Sequence, residues 1–185
     1  MTGSDHSSGE PGPFGPAVDT FDNLVDEAFE PLRANAIANR VMYYASTLGD
    51  WSTIWHIAGL LVAVRRRDPK FALRLSATMG IESLLVNQGI KRLFGRVRPR
   101  RDDVDHERHI RQPLTSSFPS GHASAAMTAA AVLGANKRTK PAWYLLGLVV
   151  ASSRIHVKMH HASDVAAGLI TGVVLGRVAN RVLRS

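Results

Sequence analysis

Apolar residues in this chain fall into five runs, roughly 51–64, 71–90, 123–135, 142–152 and 165–178, separated by charged or turn-rich stretches. The runs read as helices, and the expected fold class is all-α. The expected architecture is a helical bundle of about five membrane-spanning helices preceded by short N-terminal amphipathic helices. Several runs fall short of the ~20 residues that an isolated span needs. Flanking residues extend them; 120–136, for example, makes a span if its small polar residues face the bundle. The competing architecture is a soluble bundle with short core helices.

Ahead of the runs, residues 1–16 are rich in Gly, Pro and Ser and are expected to be a disordered tail. Residues 17–48 form a second region. There Phe21, Leu24, Val25, Phe29 and Leu32 recur at helical spacing. They predict an amphipathic helix that either lies on a membrane or covers a functional site, and 33–48 predicts another short helix. Within the second run, Glu82, Asn87 and Gln88 should face the bundle as structural support, with Glu82 paired or protonated. Gly168, Gly172 and Gly176 recur every four residues on the last run. They permit close helix packing, by default inside the bundle and alternatively in a homodimer.

Charge sharpens the membrane reading. The chain carries +8 at neutral pH, yet its first 32 residues hold seven acids and no Lys or Arg. Its basic body suggests nucleic acid or an anionic membrane. Because the cations gather in loops between apolar runs, the membrane is favoured and no nucleic-acid partner is expected. A mean hydropathy of −0.05 is low for a membrane protein, diluted by the polar tail and a long central loop. Arg65, Arg66, Arg67 and Lys70 follow the first run, Lys137, Arg138 and Lys140 the third, and Arg177, Arg181 and Arg184 the last. With five spans these three places share one side, the cytoplasmic one. The acidic N-terminus and the loops 91–119 and 153–161 then face outward. Trp51 and Trp143 would mark opposite interfaces. There are no cysteines, so neither a disulfide nor a thiol mechanism is available. No basic region followed by an apolar run opens the chain, so no cleavable signal peptide is expected.

The candidate chemistry lies in those outward loops. Three stretches stand out: Lys91 followed by Arg98-Pro99, then Pro119-Ser120-Gly121-His122, then Ser153-Arg154 with His160 and Asp164. Phosphoryl transfer rests on positioning and on stabilising charge over the equatorial oxygens. Arg98 and Arg154 can grip such oxygens bidentately, and Lys91 adds a point charge. Gly121 lets the backbone turn closely, Ser120 offers a hydroxyl, and a helix starting there would aim its N–H groups at the anion. His160 and Asp164, four apart on one helical face, make a nucleophile and the carboxylate that orients it. His122 is then the acid that protonates the leaving oxygen and the base that activates water. Singly, each stretch has an ordinary reading: interfacial cations, a turn and helix start, an i,i+4 pair.

Together, as K-x6-R-P, P-S-G-H and S-R-x5-H-x3-D, the stretches resemble the signature of the type 2 phosphatidic acid phosphatase family (PAP2). That family also includes bacterial acid phosphatases and vanadium haloperoxidases. The resemblance covers about 70–183 and assigns 49–185 to one phosphatase domain. It implies a helical membrane enzyme in which His160, His122 and Asp164 are catalytic, while Lys91, Arg98, Ser120, Gly121 and Arg154 hold phosphate. No cofactor or metal is implied. The expected activity is metal-independent hydrolysis of a phosphomonoester or diphosphate on a membrane lipid through a phosphohistidine. Polyprenyl-linked substrates come first, such as undecaprenyl or decaprenyl diphosphate or decaprenylphosphoryl-5-phosphoribose; phosphatidic acid and phosphatidylglycerol phosphate come second. The expected place is the plasma membrane, multi-pass, with the site on the extracytoplasmic face. Rival readings are a vanadium-dependent haloperoxidase and a non-enzymatic basic membrane protein that binds anionic lipid.

Other polar residues are expected to matter less. His156 and His161 flank the nucleophile and are read as packed or solvated. Asp102, Asp103, Asp105, His106, Glu107 and His109 fit no familiar ligand spacing and, interleaved with arginines, read as a solvated loop. Arg92, Arg96 and Arg100 are candidates for a second phosphate or a lipid headgroup.

Overall fold

A computed structural model describes residues 12–100, 112–135 and 138–183. The tail before residue 12 and the acidic–basic run 101–111 lie outside the described residues. The described residues form eight α-helices and no strand: α1 (Pro16–Ala28), α2 (Glu30–Ala34), α3 (Ala36–Gly49), α4 (Thr53–Arg66), α5 (Pro69–Ser83), α6 (Gly121–Leu133), α7 (Lys140–His156) and α8 (Ala162–Val182). Local chemistry sets several of these starts. Proline occupies the first turn of α1, α5 and α7, where its missing N–H costs nothing. Asn35 caps α3 by accepting from the N–H groups of Ile37 and Ala38, both at 3.0 Å. Beyond Ser83, α5 widens into a π-type turn over Leu84–Gly89 and tightens into a 3₁₀ turn over Ile90–Leu93. That change of pitch aims Lys91 differently from a straight continuation of the helix.

The core is organised around α6. Every residue from Ala123 to Leu133 is buried, and α6 touches α4, α5, α7 and α8. Alanine dominates this helix because its neighbours approach almost to backbone contact. The closest is α8, whose Gly168, Gly172 and Gly176 face the carbonyl oxygens of Ser120 and Ser124 and the Cβ of Ala131. Thr128 Oγ1 donates to the Gly172 carbonyl at 3.2 Å, and Asn180 Nδ2 donates to the Ala131 carbonyl at 2.8 Å. The glycine stripe is therefore spent inside the molecule, and all three glycines are buried there. This corrects the alternative of a homodimer built on that stripe, since a second chain has no access to it. On the far side of α6, Trp55, Leu75, Met79, Leu133 and Val150 fill the space between α4, α5 and α7.

The outer faces are apolar as well. Ile57, Leu61 and Val64 on α4, Leu73 and Ile81 on α5, and Ile170 and Val174 on α8 are all exposed. By length and composition, α8 alone among the described helices is long and apolar enough to cross a membrane, at 21 residues and mean hydropathy 1.4. The apolar α6 has 13 residues.

The N-terminal helices dock beside α8. Val25 and Phe29 pack against a cluster of Ala123, Ile155, Ala162 and Val165. Phe14, within the stretch expected to be unstructured, packs against Phe118 with ring centroids 4.8 Å apart and the planes tilted by 54°.

Candidate active site

One cavity of about 910 Å³ opens at the end of the bundle where α6 begins and α7 ends. Lys91, Arg98, Gly121, His122, Arg154 and His160 all line it. They arrive from separate elements: the 3₁₀ turn after α5, the extended segment behind it, the first turn of α6, the last turn of α7 and the α7–α8 loop. The end of α7 folds back sharply. The Arg154 carbonyl accepts from the N–H groups of both Met159 and His160, at 3.0 and 3.1 Å, and Lys158 adopts a left-handed φ of 49°. This turn brings His160 back over the cavity beside Arg154, whose Nη1 is held by Ser46 Oγ of α3. At Gly121 a Cβ would sit 2.9 Å from Asn87 Oδ1, so a side chain there would have to displace the Asn87 amide.

Two of the eight predicted residues do not line the cavity. Ser120 is fully buried, and its Oγ caps α6 by accepting from the Ala123 N–H at 3.4 Å. Asp164 is also fully buried and stands behind His160.

The surroundings of His160 fix its tautomer. Arg98 Nη1 lies 3.3 Å from Nε2, and a guanidinium can only donate, so Nε2 is the acceptor nitrogen. Nδ1 then carries the proton, and it faces Asp164 Oδ2 at 3.6 Å. That separation is too long for a hydrogen bond and acts as a charge contact. Asp164 is itself held from two sides: Oδ2 accepts from the His161 N–H at 2.9 Å, and Oδ1 accepts from Arg96 Nη1 at 2.7 Å. The other arm of Arg96 donates to Asp22 Oδ2 at 2.6 Å, and Asp22 also accepts from the Ser163 N–H at 2.7 Å. Arg96 was a candidate for a second phosphate, but its buried guanidinium is committed to two carboxylates. The helix α1, expected to lie on a membrane or over the site, contributes no residue to the cavity wall and instead anchors this network.

Sequence reasoning missed a second carboxylate. Asp50, just past α3, places Oδ1 3.0 Å from His122 Nε2. Gly49 beside it packs so closely that a Cβ there would lie 2.6 Å from His122 Cδ2. A lone Asp after a Gly, 72 positions from its partner, leaves no local signal. The flanking histidines are packed or peripheral: His156 Nε2 pairs with Asn39 Oδ1 at 2.9 Å, and His161 Nε2 stands 3.3 Å from the Val97 carbonyl. Glu82 lies on the cavity wall, almost fully buried, with Oε1 outside any hydrogen bond.

Burial and like charge tune the cluster. Burial, followed by the charges of Arg98 and Arg154, brings the Lys91 ammonium down to about 8. Burial also lowers Arg98. His160 falls well below the ordinary imidazole value because burial disfavours its cation; Asp164 pulls the other way, but Arg154, Arg98 and Lys91 reinforce the burial. At Asp50 burial favours the neutral acid, yet the hydrogen bond to His122 and the nearby positive charge prevail, and the carboxyl ends below its usual value. The result is an anion-shaped site: three cations, one neutral imidazole with its Nε2 lone pair toward the cavity, and a second imidazole backed by a carboxylate. Among the described residues no three His, Asp or Glu side chains converge as a metal site.

Residues 71–184 match the PAP2 superfamily. The chain belongs to that superfamily. Its relatives include the decaprenylphosphoryl-5-phosphoribose phosphatase of Mycobacterium tuberculosis, 32% identical over 142 residues that cover 74% of this chain and 76% of the relative. The undecaprenyl-diphosphatase of Sulfolobus acidocaldarius is 28% identical over 155 residues, 79% of this chain and 72% of that one. The fold is shared with the transmembrane PAP2 type phosphatidylglycerolphosphate phosphatase of Bacillus subtilis, at TM-score 0.68 and 24% identity over 91% of this chain and 87% of that one. It is shared also with Aquifex aeolicus LpxE, at TM-score 0.62 and 23% identity over 84% and 93%. As a PAP2 phosphatase, the chain is a hydrolase of phosphoric esters.

Proposed function

We propose that this PAP2 phosphatase removes phosphate from a polyprenyl-linked membrane lipid through a phosphohistidine at His160. The observation that carries the reading is the Arg98–His160–Asp164 alignment, which presents the Nε2 lone pair to a cavity lined by Lys91, Arg98 and Arg154. In the first step that lone pair forms an N–P bond. The P–O bond to the lipid breaks, its electron pair stays on the leaving oxygen, and His122 supplies that oxygen's proton. Positive charge grows on the His160 ring, and the Asp164 carboxylate facing Nδ1 stabilises it. In the second step a water oxygen attacks phosphorus and gives a proton to His122. The N–P bond breaks and its pair returns to Nε2. Lys91, Arg98 and Arg154 hold the phosphoryl oxygens throughout.

The membrane setting is supported by the apolar outer faces of α4, α5, α7 and α8, which surround the wholly buried α6. Seventeen residues of α7 rise about 25 Å, close to the ~30 Å of a bilayer core. With α4 to α8 as five spans, the site lies at one end, while Arg65, Arg66, Lys70, Lys140 and Arg181 lie at the other. That asymmetry supports a site on the extracytoplasmic face.

The polyprenyl choice rests on the relatives and is decided by a substrate panel. Purified protein in detergent with EDTA is offered decaprenylphosphoryl-5-phosphoribose, a polyprenyl diphosphate, phosphatidic acid and phosphatidylglycerol phosphate. Phosphate release should be fastest from a polyprenyl substrate and absent in His160→Ala. A preference for either glycerolipid contradicts the substrate reading. Equal release by His160→Ala contradicts the mechanism.

A further inference from the structure

We infer that Asp50 is the positioning residue for His122, and that it selects the ring nitrogen that handles the proton in both steps. A carboxylate can only accept, so the 3.0 Å contact between Asp50 Oδ1 and His122 Nε2 places an N–H on Nε2. Nδ1 is left as the nitrogen available to the substrate. When His122 is neutral, Nδ1 holds the lone pair, as needed to take a proton from water in the second step. When His122 is cationic, Nδ1 carries the second N–H, as needed to protonate the leaving oxygen in the first. Nε2 keeps its proton throughout, and Asp50 stays ionised.

The backbone beside Asp50 makes room for the ring. The His122 ring lies against Gly49, where a Cβ would stand 2.6 Å from Cδ2 and 3.2 Å from Nε2. Val150 closes the same spot, 3.0 Å from that position. A half-turn of the ring keeps nearly the same shape, so it is the Asp50 contact, and not packing, that tells the two nitrogens apart. Charge matters as well as direction. Burial first, then Arg154 and Lys91, oppose the imidazolium, and Asp50 is the anion that favours it. Removing Asp50 would leave burial and the phosphate-binding cations unopposed at His122. Each histidine thus has a carboxylate at one ring nitrogen: buried Asp164 faces Nδ1 of His160, and Asp50, itself on the cavity wall, contacts Nε2 of His122.

The inference rests on His122 being the proton donor, and leaving-group dependence tests it. Two soluble monoesters that the wild type turns over are compared by kcat/KM, which reports steps up to release of the alcohol. One has an alkyl leaving group that departs only with a proton; the other has a nitrophenyl group that departs without one. Asp50→Ala should lower kcat/KM about 10²-fold on the alkyl ester, within the range for a general acid, and only a few-fold on the nitrophenyl ester. Asp50→Glu should restore part of the alkyl activity. An equal loss on both esters, with melting temperature preserved, would mean a contact that merely holds α3 to α6 and overturns the inference, as would unchanged activity on both. His160→Ala in the same assay separates the two readings: its loss of both activities upholds the phosphohistidine route whatever Asp50 does.

Discussion

Arg96 and Asp164 are joined by a 2.7 Å charge-assisted hydrogen bond in a site closed to solvent, and Arg96 is held in turn by Asp22 of α1 at 2.6 Å. A carboxylate behind the proposed nucleophile is thereby locked by a residue 68 positions away and braced from the N-terminal helix. The amphipathic region ahead of the five runs is a strut for the site.

Removing Asp22 leaves a buried arginine with half its partners. Breaking a buried pair costs about 3–5 kcal/mol. Asp22→Ala should lower the melting temperature by roughly 2–4 °C per kcal/mol for a chain of this size. It should also lower kcat more than it changes KM, because Asp164 loses its fixed position while the phosphate cations remain. Thermal unfolding in detergent and steady-state kinetics check both.

Lys91 sets the basic limb of the pH profile. Its ammonium, lowered to about 8 by burial and then by Arg98 and Arg154, is charged below that pH and neutral above it. A phosphate ligand needs the charged form, so kcat/KM should fall as pH rises through about 8. Lys91→Arg keeps its charge across this range and should move the fall to higher pH. A profile flat to pH 10 in the wild type contradicts this role.

The α6–α8 contact predicts opposite outcomes for two glycines. At Gly172 a Cβ would collide with the Ser124 carbonyl and Met127 Cβ, and neither can yield cheaply. Gly172→Ala should destabilise by about 1–3 kcal/mol, as overpacking does. At Gly80 a Cβ meets nothing within 4 Å, so Gly80→Ala should be neutral or stabilising by up to about 1 kcal/mol. Melting temperatures of the two variants decide it.

Orientation in the membrane is accessible because the chain has no cysteine. Single substitutions Leu114→Cys, near the site, and Lys70→Cys, at the other end, occupy exposed positions. In intact cells a membrane-impermeant maleimide should label the first and spare the second. The reverse pattern places the site on the cytoplasmic face.

Much of this arrangement was legible in the sequence, because it rests on residue types at fixed spacing. The five apolar runs became α4 to α8, and Lys91, Arg98, His122, Arg154 and His160 meet at one cavity. What escaped depends on tertiary geometry. Arg96 looked like one more loop cation until its two carboxylates, one from α1 and one from α8, were seen to enclose it. Asp50 has no motif around it, and only the approach of α3 to the start of α6 pairs it with His122. Ser120 offered a hydroxyl, but rotamer and burial turned that hydroxyl to capping. The glycine stripe announced a close contact without naming its partner, which proved to be α6.

The most direct test of the central claim is to trap the covalent intermediate. Protein is mixed briefly with a substrate labelled in the scissile phosphate, quenched in alkali, digested and mapped. An alkali-stable, acid-labile phosphate should appear on His160. It should vanish in His160→Ala and build up in His122→Ala when the substrate has a nitrophenyl leaving group, because attack proceeds but water is no longer activated. Steady turnover with no trapped phosphate in either wild type or His122→Ala, or label on another residue that persists in His160→Ala, would contradict the account.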